Sequence, residues 1–135
     1  MIARDLSRRG HHVTLVARSA DKLETLAAEL ASADVIAMDL ADRASRATLL
    51  DLVTDRGRVP DILVNNAGLS TLGAVSKSDP AAEMNMIEVD VVAVADLCSR
   101  ILPGMVERGR GAVLNVASTA AFQPLPGQAG YGAGK

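Results

Sequence analysis

Four short apolar runs, at residues 12–17, 34–38, 61–64 and 112–117, recur along the chain with helix-patterned stretches between them. Runs this short, rich in Val, Ile, Leu and Ala, read as strands buried on both faces. The stretches between them read as helices. Behind Ser19, a residue suited to cap a helix, Leu23, Leu26, Ala27 and Leu30 fall at i, i+3, i+4 and i+7. Near the start, Ile2 and Leu6 lie one turn apart and Gly10 stands where a helix over residues 1–9 would end. Another helix is expected over about 43–57, closed by Gly57, and a long one over about 81–108. In the long helix Met84, Ile87, Val91, Val94, Cys98, Ile101 and Met105 keep helical spacing, and Pro103 should kink or end it. Met84, Met86 and Met105 read as plain core. Strands alternating with helices imply parallel βαβ units and an α/β, doubly wound parallel sheet covered on both faces. Ligands of such sheets bind beyond the carboxyl ends of the strands, so the four strand ends are where chemistry is expected.

The first strand ends in Ala17-Arg18-Ser19. A dinucleotide fold that selects NAD carries an acid here for the ribose hydroxyls, whereas an arginine favours a 2'-phosphate. Arg18 therefore points to NADP(H) over NAD(H), although a solvated arginine at a helix start would look the same. Asp39, after the second strand, falls where an adenine would rest, and reads equally well as a turn or capping residue. After the third strand, Asn65-Asn66-Ala67-Gly68 combines two amides that can fix a strand with small residues that let backbone approach a ligand. The fourth strand leads to Ser118, then to Tyr131 with Lys135 four residues on. On a helix that spacing sets the ammonium beside the phenol. A phenol with its ordinary pKa of about 10 is a poor acid or base at neutral pH, and a neighbouring cation favours its phenolate. Hydride transfer to a carbonyl calls for such a proton donor, with a second hydrogen bond, available from Ser118, to orient the oxygen.

Composition narrows the rest. The chain has 135 residues, 49% hydrophobic and 22% charged, which suits one globular unit. A net charge of -2 offers no general attraction to nucleic acid or an anionic membrane, and no apolar run is long enough to span a bilayer. No metal-ligand spacing occurs, and the single cysteine, Cys98, can form no intramolecular disulfide. A cytoplasmic setting is expected.

These features together resemble the classical short-chain dehydrogenase/reductase family over essentially all of residues 1–135. The resemblance rests on Asn65-Asn66-Ala67-Gly68, on Ser118 thirteen residues before Tyr131, on Tyr131-Gly132-Ala133-Gly134-Lys135, and on Leu102-Pro103-Gly104-Met105. It implies part of a Rossmann-like NAD(P)-binding domain. It also implies an NADP(H)-dependent oxidoreductase that interconverts a small carbonyl compound and an alcohol. Tyr131 would be the general acid/base, Ser118 the orienting hydroxyl, and Lys135 the group that binds the nicotinamide ribose and lowers the phenol's pKa. Asn65, Ala67 and Gly68 would support the cofactor, together with Arg18, Asp39, Tyr131 and Lys135. The whole form is expected to be a homodimer or homotetramer.

Three departures from the family pattern stand out. Family members open with a further strand and a turn of the form Thr-Gly-x-x-x-Gly-x-Gly, and continue past the lysine into the substrate pocket; neither segment is present here. Asp90 stands where the family usually has an asparagine, placing negative charge near Tyr131 and Lys135, which would tend to raise the phenol's pKa and oppose catalysis. With the central strand of the 3-2-1-4-5 order missing, strands 12–17 and 61–64 must either pair directly or leave backbone groups unsatisfied. The chain alone is therefore expected to be marginally stable and to bind dinucleotide weakly. A catalytically inactive truncated remnant, or a partner that inserts into a full-length relative, are the competing readings.

Overall fold

The computed structural model describes residues 2–135. Its first half is βαβ-like. Helix α1 (Ile2–Arg8) stops before Gly10, whose φ of +86° is a conformation that side-chain-bearing residues avoid. Strand β1 (Val13–Ala17), helix α2 (Ala20–Ala27) and strand β2 (Ala33–Ala37) follow. Ser19 holds the expected N-cap position, but its side chain makes no capping hydrogen bond. The two strands pair in parallel, Val13 opposite Ala33 and Ala17 opposite Ala37. Alternation along them then sorts the side chains into two layers. Val13, Leu15 and Val35 pack with Leu6, Leu23, Leu26 and Leu30 of α1 and α2. Val16 and Ile36 turn to the other face.

The single helix expected over 43–57 is two: α3 (Arg43–Ala47) and α4 (Leu49–Thr54). Asp42 starts α3 by accepting the Ala44 N–H at 3.0 Å. The break falls at Thr48, whose hydroxyl donates to the Ser45 carbonyl at 2.8 Å and so competes with the helical ladder. Strand β3 (Ile62–Asn65) comes next, then α5 (Pro80–Ile87), begun by Asp79 accepting the Ala81 N–H and by a proline in the first turn. The helix passes through a π segment (Glu88–Val92) into α6 (Ala93–Glu107). Strand β4 (Ala112–Asn115) and helix α7 (Ala129–Gly134) complete the order. β3 and β4 are parallel, with Ile62 opposite Ala112 and Asn65 opposite Asn115. One cluster (Ile36, Met38, Leu49, Val53 and Leu97) receives both Val16 of β1 and Leu63 of β3.

This α/β arrangement of parallel strands and helices bears out the expected fold class. Among the described residues β1 joins only β2 and β3 only β4. The two inner strands therefore do not close directly onto one another; they are held instead by the shared α4–α6 layer.

One expectation for the long helix needs correction, and of the two outcomes expected at Pro103, a kink or an end, the end does not occur. Its buried stripe is Met86, Val89, Ala93, Leu97, Ile101 and Met105, whereas Met84 is 65% and Val91 41% exposed. The apolar residues fit more than one face, and the π segment changes the phase between the two halves. Pro103 does not end the helix, which runs on to Glu107. Both Pro103 and Ser99, the residue whose carbonyl loses its partner, lie on the exposed side where water can take that bond. No described helix is long and apolar enough to cross a membrane.

Candidate active site

The site is built on α7. Its last α-helical bond runs from the Lys135 N–H to the Tyr131 carbonyl at 3.1 Å, which sets the two side chains one turn apart. The Lys135 ammonium stands 5.8 Å from the centre of the Tyr131 ring. Both residues line a cleft of about 270 Å³. Its opposite walls are the segment after β3 (Asn66, Gly68, Leu69 and Ser70) and the end of β4 (Val116 and Ala117). The cleft thus lies beyond the carboxyl ends of two parallel strands, as the topology requires.

Asp90 reaches this cluster from the π segment. Its side chain is fully buried, its Oδ1 accepts the Leu69 N–H at 2.8 Å, and its Oδ2 stands 3.2 Å from Lys135 Nζ. Oδ2 has no hydrogen bond of good geometry, so the contact with Lys135 is an ion pair rather than a directed bond. Gly68 makes room for the pair. A Cβ there would lie 2.6 Å from Lys135 Nζ and 3.3 Å from Asp90 Oδ1. The charge foreseen from the sequence at position 90 is therefore in direct contact with the lysine.

Ser118 begins the 3-10 turn Thr119–Ala121, where its Oγ accepts the Ala120 N–H at 3.2 Å. Because the oxygen is the acceptor in that bond, the hydroxyl hydrogen stays available for donation. The turn packs against α7. Asn65 is buried, and its Nδ2 donates to Asn115 Oδ1 at 2.8 Å and to Cys98 Sγ at 3.4 Å. It fastens β3 to β4 and to α6, and the neighbouring Asn66 faces the cleft. Ala67 is exposed between Asn66 and Gly68.

The other two candidates sit apart from this cleft, at the ends of the first strand pair. Arg18 follows β1 directly, is exposed, and makes no ion pair or hydrogen bond among the described residues. Asp39 follows Met38 and uses Oδ1 to accept the Ala41 N–H at 2.9 Å, which realises the turn reading for that oxygen. Among the described residues no group of three or more His, Cys, Asp or Glu is placed to hold a metal ion.

The model of one family, described as short chain dehydrogenase, matches residues 1–135. The chain belongs to the short-chain dehydrogenase family. Among curated relatives, it is 35% identical over 136 residues to an NADP-dependent 3-hydroxy acid dehydrogenase of Salmonella typhi, covering 99% of this chain and 55% of that protein. It is also 35% identical over 130 residues to serine 3-dehydrogenase of Rhizobium radiobacter, covering 95% of this chain and 52% of the relative. The chain thus spans about half the length of the curated relatives it matches. A short-chain dehydrogenase from Sphingobium yanoikuyae, solved with NADPH, superposes with a TM-score of 0.90 at 31% identity over 99% of this chain and 54% of its own. The serine dehydrogenase of Escherichia coli gives 0.89 at 32%, covering 99% of this chain and 62% of its own.

Motifs alone did not mark every residue of the site. Leu69, Ser70, Val116 and Ala117 were not singled out and line the cleft simply because a strand end brings its neighbours with it. Asp90 is remote in sequence, and only its match to a family asparagine marked it; nothing in its local pattern shows that it pairs with Lys135.

Proposed function

We propose that this chain forms the catalytic and cofactor-binding half of an NADP(H)-dependent oxidoreductase that interconverts carbonyl compounds and alcohols. The observation that carries the reading is the cleft at the carboxyl ends of β3 and β4, where Tyr131 and Lys135 stand together with Asp90 behind the ammonium. The residues present fit a phosphorylated dinucleotide. Arg18 offers an accessible guanidinium without an internal partner, and the small residues Ala67 and Gly68 leave backbone open beside Lys135. Arg18 would hold the 2'-phosphate, Asp39 would border the adenine, and Lys135 would bind the nicotinamide ribose. Asn65 supports the cofactor through the frame it ties between β3 and β4. When bound, NADP(H) supplies or accepts the hydride.

In the direction of reduction, the Tyr131 phenol donates its proton to the substrate oxygen as charge develops there. The Ser118 hydroxyl, its oxygen already engaged by the Ala120 N–H, donates a second hydrogen bond to the same oxygen and orients it. The Lys135 ammonium stabilises the phenolate left behind, and Asp90 holds that ammonium in place. In oxidation the same groups act in reverse, with the phenolate taking the alcohol proton. We further propose that the enzyme works in the cytoplasm and that it is a homo-oligomer; the apolar Val91, Leu102 and Val106 left exposed on the long helix support only the second of these.

The test is NADPH and NADH consumption by the purified protein against a panel of ketones and aldehydes. The proposal expects turnover with NADPH and weaker turnover with NADH. Dinucleotide binding with no consumption across the panel would favour an inert frame instead.

A further inference from the structure

The two carboxylates on the π segment point in opposite directions. Asp90 faces the Leu69 N–H and Lys135. Glu88 faces α3, where its Oε1 accepts from Arg46 Nη2 at 3.0 Å. Arg46 is fully buried, and its other two nitrogens are engaged as well. Nε donates to Asp96 Oδ2 at 2.8 Å, and Nη1 donates to the Leu40 carbonyl after β2. One guanidinium therefore grips the long helix on both sides of residues 89–92 and ties that grip to the end of β2.

The grip bears on the candidate site because a π segment amounts to one extra residue in an α-helix, kept only where surrounding contacts hold it. Released, the segment can return to α geometry, which turns the neighbouring residues by about 100° about the axis. Asp90 would then leave its line with Lys135. Arg46 itself has no access to a ligand, since its side chain is completely enclosed. Stability alone is a weak reason for it: replacing a whole buried ion pair by well-packed apolar groups is often neutral, although removing one partner alone is costly.

We infer that Arg46 is a positioning residue for the candidate active site: by holding Glu88 and Asp96 it fixes the π segment that presents Asp90 to Lys135 and to the Leu69 N–H. The inference rests on the reading of Tyr131 and Lys135 as the proton-delivering pair.

Arg46→Met can fail by unfolding, so the test uses the milder lesion. Glu88→Ala and Glu88→Gln are made in the protein, each alone and in an Asp90→Asn background. For each, kcat, KM, the NADPH dissociation constant and the pH profile of kcat are measured for carbonyl reduction. The charged or titratable groups facing Lys135 are Asp90 from the π segment and Tyr131 on its own helix, with Glu83 of α5 against Gly130 at the start of α7. Asp90→Asn removes the carboxylate that faces the ammonium, and its pH profile of kcat is the reference for the other variants.

Glu88→Ala is expected to change the pH profile of kcat in the same way as Asp90→Asn does. It lowers kcat by up to about a hundredfold, the scale of a misplaced catalytic group, and leaves NADPH affinity within about twofold. Glu88→Gln, which keeps an acceptor for Arg46, recovers most of the loss. In the Asp90→Asn background, Glu88→Ala adds nothing further. Independent, multiplying effects of the two changes would overturn the inference, as would a Glu88→Ala enzyme with lowered Tm and an unchanged profile. If Tyr131→Phe leaves the rate unaltered, the underlying functional reading has failed; if Tyr131→Phe abolishes activity while Glu88→Ala is silent, only the positioning role has failed.

Discussion

Gly68 and Lys135 are coupled by space, and the ion pair with Asp90 depends on that coupling. A methyl group at position 68 would meet the ammonium at 2.6 Å, and the flexible lysine is the atom group that must yield. Gly68→Ala is therefore expected to lower kcat about tenfold or more by displacing the charge from the phenol, with little change in Tm. Steady-state kinetics beside a melting curve check this, and a fully active variant would show that the pair tolerates displacement. Arg18 can be tested in the same way. If it carries the 2'-phosphate, Arg18→Ala weakens NADPH binding about ten- to a hundredfold and leaves NADH nearly unaffected, since a charge-assisted hydrogen bond contributes about 1.5–3 kcal/mol. Equal losses for both dinucleotides would return Arg18 to the role of a solvated helix-start residue. The sequence exposed these residues because they follow strands, and a strand's end is visible as the place where an apolar run stops. The nearness of Asp90 to Lys135 was legible only through the family resemblance, because a contact across 45 residues leaves no local spacing to read.

At the scale of elements, the strands were legible to within a residue or two, since a parallel strand covered by helices is an unbroken apolar run, but burial on both faces was not borne out: most strand residues are half-buried and β4 is largely exposed, Leu114 by 46%. The helices were less so. Thr48 breaks one of them through its own hydroxyl, and the long helix is apolar around so much of its girth that spacing alone selected the wrong line through Met84 and Val91. The packed partner decides which stripe is buried, and that partner is a tertiary fact. Arg46 illustrates the same point, being an arginine by composition and a core residue by structure. The Arg46 guanidinium beside Asp96 holds that carboxyl below its ordinary value, with Arg100 helping and partial burial opposing. Burial alone would lower the ionisation of Arg46, but Asp96 and Glu88 reverse this and raise it. A carboxyl depressed in the folded state contributes stability above its unfolded value of about 3.9, and that contribution is lost as pH falls through the lower folded value. Arg46→Met is expected to destabilise by roughly 1–3 kcal/mol at neutral pH, the two carboxylates being partly solvated. The Tm difference from wild type should narrow below about pH 4. A difference that stays constant from pH 7 to 3 would remove Asp96 from the account.

For the whole molecule, the α/β class and the parallel strands followed from alternation, and the family from a few joint motifs. The relation of the two strand pairs did not, because no local pattern fixes what lies between β1 and β3. In the structure they share a helical layer and no ladder. Inner strands left without partners carry backbone groups that cost about 1–3 kcal/mol each when buried, against a typical domain margin of about 5–15 kcal/mol. Calorimetry is therefore expected to give a broader melting transition than a fully paired parallel sheet of this size would show. A sharp transition would contradict this.

The central claim is that a phenol beside an ammonium delivers the proton to a carbonyl oxygen. The most direct measurement compares wild type and Tyr131→Phe in NADPH-dependent ketone reduction, with NADPH affinity measured in parallel. The account predicts a loss of about 10²–10⁴ in kcat, the range of general acid catalysis, with the NADPH dissociation constant within about twofold. A phenylalanine variant that turns over at nearly the wild-type rate would contradict it.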